Sequence, residues 1–315
     1  MERFKLKEIS EKLNKIDVFI CSASFERRCL LIPREISKIP IGRILLCHNK
    51  NHINDNGDNK NQIYNMFRSE KHILEFFSYD PVHNAIEFIT YLNKTKSQFP
   101  QTFVIDITTF THETLLILYY FLKLILTEKD KLIALYLDVD EYSINEKKPE
   151  DKWLSKGIGE IRSVLGYPGV FSPAKKNHLI ILFGFESERT KKLIETYESN
   201  VVSLAFGPEE LSTQKQHYYI NSERHQELLK NYPESDQFKI SLIDPIQAKK
   251  EIQNQIEKYN DYNTLIAPMN NKISTLGAAL VAYENKNVQL CYVTANQYNI
   301  NGYSEPGNNC YLFNL

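Results

Sequence analysis

Two groups of side chains in this 315-residue sequence have the type and spacing to do chemistry: acids that follow apolar runs, and a lysine with hydroxyls at the start of a helical pattern. Asp106 stands in the apolar run Phe103–Ile107, with Thr108, Thr109, Thr111, His112 and Glu113 just beyond it. A carboxylate at the end of a buried strand needs a partner. Together with Glu26, in the turn after the first apolar run, Asp106 offers an acid and a base for a nucleotide hydrolase or a glycosidase. His112 and Glu113 are better explained by a helix start, with Thr109 or Thr111 as cap and Glu113 in the first turn.

The second group is Asn271, Lys272, Ser274 and Thr275, inside Leu265–Tyr283. An apolar run ends at Pro268, and beyond the polar turn Ile273, Leu276, Gly277, Leu280 and Val281 recur at helical spacing. A helix that begins above a strand end directs backbone N–H groups and a positive dipole end at an anion. Ser24 and Arg27, in the turn after the first run, could hold a phosphate or a ribose; the alternatives are that Glu26 caps the following helix while the arginines face solvent, or, from the echo at Phe185–Arg189, that Glu and Arg pair there to fix the turn. Tyr298, in an Asn- and Tyr-rich run, is a platform on which a base could stack.

These residues are positioned by alternating strands and helices. Apolar runs at Asp17–Cys21, Arg43–His48, His72–Ser78, Phe103–Ile107 and Leu132–Val139 alternate with helical patterns, among them Pro81–Lys94 and Thr111–Leu126. The stretch from Asn49 to Gln62 is rich in Asn, Asp and Gly and is expected to be an exposed loop. The order then repeats. Asn177–Thr190 parallels Ile16–Arg28, each with Phe-Glu and then Arg after the strand; Phe238–Ile256 parallels Leu74–Leu92 with the same Asp-Pro at the junction; Thr264–Tyr283 parallels Phe103–Tyr120. Asp80-Pro81 and Asp244-Pro245 read as helix starts. The expected fold is α/β: duplicated Rossmann-like units with mainly parallel sheets and helices on both faces, divided as 1–145, a linker at 146–176, and 177–315. In such folds the ligand sits beyond the carboxyl ends of the strands.

Composition narrows the class. With 42% hydrophobic and 24% charged residues and a net charge of -1, the chain is an ordinary globular protein with no global pull toward nucleic acid or an anionic membrane. The charged N-terminus and the lack of a long apolar run predict a cytoplasmic protein without membrane spans. Cys21, Cys29, Cys47, Cys291 and Cys310 lack CxxC spacing, which argues against a disulfide framework or a zinc cluster. The acids at Asp138, Asp140 and Glu141 could hold a cation, but no matching ligand set accompanies them, so no metal and no cofactor is expected. Walker A, GxGxxG, HExxH and GxSxG patterns are absent from the sequence, which disfavours a conventional dehydrogenase or P-loop enzyme.

The turn at Asn270, Asn271 and Lys272, followed by small residues, resembles the lysine-containing turn of CARF-type Rossmann domains, the nucleotide sensors of prokaryotic immunity; Ser22–Ser24 sits where those domains place their other ligand loop. The resemblance rests on these two motifs, and the general architecture is similar to Rossmannoid proteins of bacterial antiphage islands. It implies a nucleotide or cyclic oligonucleotide as ligand, antiviral defence as the setting, and a protein effector as partner. The resulting expectation is a sensor or regulatory subunit, as a monomer or a homo-oligomer, signalling to an effector. The alternatives are the Asp106/Glu26 enzyme and a structural scaffold subunit of a protein complex.

Overall fold

The structure is a computed structural model that describes residues 1–50 and 53–315. In chain order the first elements are β1 (Glu2–Lys5), α1 (Ile9–Lys12), β2 (Ile16–Ala23), α2 (Leu31–Ile36), β3 (Ile41–Asn49), α3 (Ile53–Met66), β4 (Glu70–Phe76), α4 (Pro81–Thr95), β5 (Thr102–Asp106), α5 (His112–Ile125) and β6 (Lys131–Tyr142). They are followed by β7 (Ser155–Lys156), β8 (Ile161–Pro168), β9 (Asn177–Leu182), α6 (Ser187–Tyr197), β10 (Val201–Phe206), α7 (Lys215–Asn231), β11 (Asp236–Lys239), α8 (Pro245–Lys258), β12 (Asn263–Pro268), α9 (Lys272–Glu284), β13 (Val288–Val293), β14 (Gln297–Tyr298) and β15 (Ser304–Asn314).

The chain forms two compact units, Met1–Asp140 with Ser304–Leu315, and Glu141–Tyr303. In the first, the sheet order is β1-β15-β6-β5-β2-β3-β4, and β2 to β6 run parallel. In the second the order is β11-β10-β9-β12-β13-β8, again with five parallel strands, closed by β8 antiparallel to β13. Counting the parallel strands of each unit from its first, both sheets read third, second, first, fourth, fifth. The repeat seen in the sequence is therefore a repeat of topology, and the order reverses beside β2 in one unit and beside β9 in the other.

Burial on both faces explains the unbroken apolar runs. Alternate residues of β2 serve different layers: Phe19 and Cys21 join a core with Ile32, Ile36 and Phe67, while Val18 and Ile20 are buried on the other face. In the second unit, Leu179, Ile181 and Phe183 pack with Leu193 of α6 and Leu228 of α7. The opposite side holds α8 and α9, which approach closely at Gly277, where an added Cβ would lie 2.7 Å from that of Ala248. Both Asp-Pro junctions are helix starts: Asp80 accepts from His83 N at 2.9 Å, and Asp244 from Ile246 N at 2.8 Å.

Three boundaries differ from those expected. Residues 304–315 belong to the first sheet, because β15 inserts between β1 and β6 and is fastened where Asp138 accepts from Asn309 N at 3.0 Å and Asn309 Nδ2 at 2.7 Å. Asp138 thus uses both carboxylate oxygens on this strand rather than offering them to a cation. The segment 146–176 is more than a linker, since it supplies β7 and the edge strand β8. The polar stretch after Asn49 is helical from Ile53, its far end anchored by fully buried Ile63 and by Phe67; Asn51 and His52 lie outside the described residues. Among the described residues no helix is long and apolar enough to cross a membrane, and all five cysteines are free and buried.

Candidate functional site

At the reversal point of the first unit, the turn after β2 runs into a 3₁₀ turn, Arg27–Leu30, and this places the two arginines differently. Arg27 faces solvent, whereas Arg28 is only 3% exposed and Glu26 8%. The Arg28 guanidinium donates from Nε and NH2 to Glu26 Oε2, at 2.9 and 2.6 Å, and from NH1 to the carbonyl of Leu137 on β6 at 3.1 Å. Ser304 Oγ, at the start of β15, donates to the same Glu26 oxygen at 2.8 Å. Ser24 Oγ accepts from Glu26 N at 3.2 Å, and its carbonyl accepts from Asn59 Nδ2 at 2.7 Å. The ligand candidate Ser24 and the acid–base candidate Glu26 are consumed in holding the turn, and the side chain of the ligand candidate Arg27 faces solvent. Of the two adjacent arginines, Arg28 is the one the turn buries.

Asp106 is 2% exposed, with Oδ1 accepting from Thr108 N at 3.0 Å. Thr108 Oγ1 in turn accepts from Leu137 N at 3.1 Å, and Thr109 Oγ1 donates to Ser22 O at 2.9 Å, so the β5 turn is tied to β6 and to β2. Burial raises the Asp106 carboxyl to about 7, against the pull of the Thr108 hydrogen bonds and the Arg28 charge. Thr111 caps α5 by accepting from Thr114 N at 3.1 Å, as its position in the sequence suggests.

The second unit repeats the clamp with other partners. Arg189 NH1 donates to Val293 O at the end of β13 at 3.2 Å, the counterpart of Leu137 in the fifth strand, and NH2 donates to Ser155 Oγ at 3.0 Å. Glu186 Oε1 accepts from Leu154 N and Ser155 N, both at 2.8 Å. Beside it Arg224 lies 4.1 Å over the Phe185 ring and donates to Phe185 O and Lys152 O. In both units the Phe-Glu…Arg echo is a device that joins the first strand's turn to the end of the fifth.

At this unit's reversal point, between β9 and β12, the turn before α9 is held by two amides. Asn270 Nδ2 donates to Phe183 O, and Asn271 Nδ2 to Leu242 O at 2.7 Å, while Asn271 Oδ1 caps the helix by accepting from Ser274 N at 2.9 Å. Gly184 is needed where the turns meet, since a Cβ there would lie 2.1 Å from Met269 O. Ser274 and Thr275 are fully buried and donate back to Asn271 O, each at 3.0 Å, so their hydroxyls serve the helix start instead of facing a ligand. Lys272, half-buried at the first helical position, is the charged residue of this group. Tyr298 is positioned by the two-stranded ribbon of β14 and β7, opposite Ser155, and not by the α9 turn.

A serine–imidazole pair whose members share no sequence motif lies at the opposite end of β9. His178 Nε2 and Ser203 Oγ are 2.7 Å apart, and Gln255 Nε2 donates to the same hydroxyl at 2.8 Å. Both His178 and Ser203 are fully buried, and burial lowers the imidazole to about 4, so the pair is a neutral tie between β9, β10 and α8. Among the described residues no cluster of His, Cys, Asp and Glu could hold a metal ion.

No family model matches the chain, and no curated protein does. Among solved structures it is similar to the cytoplasmic domain of a prokaryotic cation chloride cotransporter, at 7% identity over 91% of this chain and 99% of that one, with a TM-score of 0.24. A functionally unknown protein from Pseudomonas aeruginosa PAO1 aligns at 7% identity over 89% and 93% of the two chains, with a TM-score of 0.25. A ketoreductase from the first module of phoslactomycin biosynthesis in Streptomyces sp. HK803 aligns at 8% identity over 80% and 49%, with a TM-score of 0.21. Likenesses this distant assign no activity.

Two outcomes follow from the first unit. Arg28→Ala leaves Glu26 buried without its charge partner and is expected to cost about 3–5 kcal/mol in denaturant unfolding, against roughly 0.5 kcal/mol or less for Arg27→Ala; equal costs would contradict the clamp. The raised Asp106 carboxyl makes the fold bind a proton that the unfolded chain, near its ordinary 3.8, has released, so stability from this group falls as pH rises from about 4 to about 7. Asp106→Asn is therefore expected to gain stability relative to wild type between pH 4.5 and 8; a constant difference across that window would show that Asp106 does not titrate there.

Proposed function

We propose that this protein is a sensor or regulatory subunit that binds a nucleotide-like anion at the carboxyl ends of the strands in its second unit and passes the bound state to a protein effector. The observation that carries this reading is Lys272, at the surface on the first turn of the 13-residue helix α9, on a turn fixed by Asn270 and Asn271 where the strand order reverses. The helix start contributes a positive dipole end, the lysine a full charge, and the amide bonds a turn already in place before a ligand arrives. The nucleotide class and the setting in bacterial defence come from the resemblance of this turn to CARF-type domains.

Acid–base chemistry by Asp106 and Glu26 is less well supported. Glu26 is committed to Arg28 and Ser304, and Asp106 has almost no access to solvent. A general base must reach the proton it removes. A docking role has one specific observation in its favour. Val82 and Ile86, four apart on the first turns of α4 and so on one face, and Tyr79 in the turn before the helix are all more than half exposed, at 54%, 55% and 67%. Such an apolar face suits a protein partner and is compatible with the effector in the first reading.

The expected outcome is that at least one member of a panel of mononucleotides and cyclic oligonucleotides raises the melting temperature of the purified chain, and that Lys272→Ala abolishes the rise. Binding at a hundredfold excess over Kd corresponds to about 2.7 kcal/mol of stabilisation, well within reach of a thermal scan. A panel without effect, or a rise untouched by Lys272→Ala, would remove the proposed site.

A further inference from the structure

Helix α7 lies over the carboxyl ends of β9 and β10, and two polar atoms of its inner face, on Asn221 and His225, are buried without a hydrogen-bond partner among the described residues. His217, Asn221 and His225 are spaced four apart and so share one face. His225 is 5% exposed, with its ring centroid 5.6 Å from that of Phe183, just beyond β9, and 5.0 Å from that of Phe206, the last residue of β10. Neither His225 Nε2 nor Asn221 Oδ1 has a hydrogen-bond partner among the described residues, although both atoms are shut off from solvent. About two turns nearer the start of α7, the His217 ring lies 4.5 Å from that of Tyr142.

Buried polar atoms without partners cost about 1–3 kcal/mol each, so two on one helix face call for a reason. Here they come with aromatic rings, at the end of the sheet where α/β folds bind ligands. Phe183 connects this face to the lysine turn: its ring touches His225, and its carbonyl accepts from Asn270 Nδ2. Since β12, β9 and β10 are consecutive in the sheet, Lys272 and the α7 face are served by strand ends about 10 Å apart.

We propose that the inner face of α7, on parting from the Phe183 and Phe206 rings it packs against, receives a planar heteroaromatic ring with a hydrogen-bonding edge, the base of the nucleotide-like ligand whose anionic part meets Lys272. Asn221 Oδ1 accepts from the exocyclic amine or ring N–H of the base, and His225 Nε2 takes a second position on its edge. The Phe183 and Phe206 rings supply the apolar wall against which a flat ring is favoured. Burial lowers the tendency of His225 to take up a proton, which keeps the imidazole neutral and one nitrogen able to accept. This inference rests on the sensor reading above and adds the recognition of the base to it.

The test uses the full chain, with adenosine, guanosine, cytidine and uridine as probes beside their 5′-monophosphates, and follows both melting temperature and the His225 side-chain ¹⁵N resonances. A nucleoside has a base but no phosphate, so it addresses α7 without Lys272. At least one nucleoside is expected to raise the melting temperature at millimolar concentration and to move the His225 resonances. Asn221→Leu is expected to weaken that response about tenfold, a loss of about 1.4 kcal/mol, while Lys272→Ala leaves the nucleoside response intact and lowers only that of the monophosphate. If monophosphates bind through Lys272 but nucleosides leave the His225 resonances unmoved, or Asn221→Leu responds like wild type, the α7 inference is overturned and the sensor reading stands. If neither class of probe binds, both fall.

Discussion

A guanidinium withdrawn from water must be given partners for its donors and an opposing charge, and in the first unit Arg28 is withdrawn almost completely. Its requirements gather the turn after β2 through Glu26, the end of β6 through the Leu137 carbonyl, and the start of β15 through Ser304 on the same carboxylate. The strand ends that in an open α/β sheet would frame a ligand crevice are here tied together. The second unit makes ties at the same places with a half-buried arginine: Arg189 donates to Val293 O, and Glu186 accepts from the backbone at Leu154 and Ser155. In each unit the glutamate binds a segment from outside the five-stranded repeat, which explains how flanking chain as different as β15 and β7 became part of its fold.

The repeat, the alternation of strand and helix and both Asp-Pro junctions were legible in the sequence, because each depends on local chemistry: apolar runs long enough to be buried on both faces, and a capping acid before a proline. The placement of β15 was not, since a strand that returns across more than a hundred intervening residues leaves no local trace of its partner. Residues 146–176 looked like a connector for their Pro and Gly, yet an edge strand such as β8 tolerates that composition. At the candidate site the limit was orientation. Nothing in a Glu-Arg-Arg run says which arginine a 3₁₀ turn will bury, and the hydroxyls of Ser274 and Thr275 could equally face a ligand or return to Asn271 O. Asn221 and His225 carry no signal in the sequence, because α7 is polar along most of its length and a polar helix does not announce which of its polar atoms point inward.

The duplicated units have diverged at equivalent positions. Where the fourth strand of the first unit ends in Asp106, sealed beneath Thr108 and near Arg28, that of the second ends in Pro268 and leads to a surface lysine. One set of strand ends has become a locked, acid-bearing junction, and the other keeps a cationic turn and a helix face with polar atoms to spare. The central claim is that ligand recognition belongs to the second unit alone. Hydrogen–deuterium exchange of the full chain, with and without the mononucleotide and cyclic oligonucleotide panel, tests it most directly. The account predicts slowed exchange at 183–186, 221–225 and 269–275 with no change at 24–28 and 106–109. Protection at 24–28 and 106–109 while the second unit stays unchanged would contradict it.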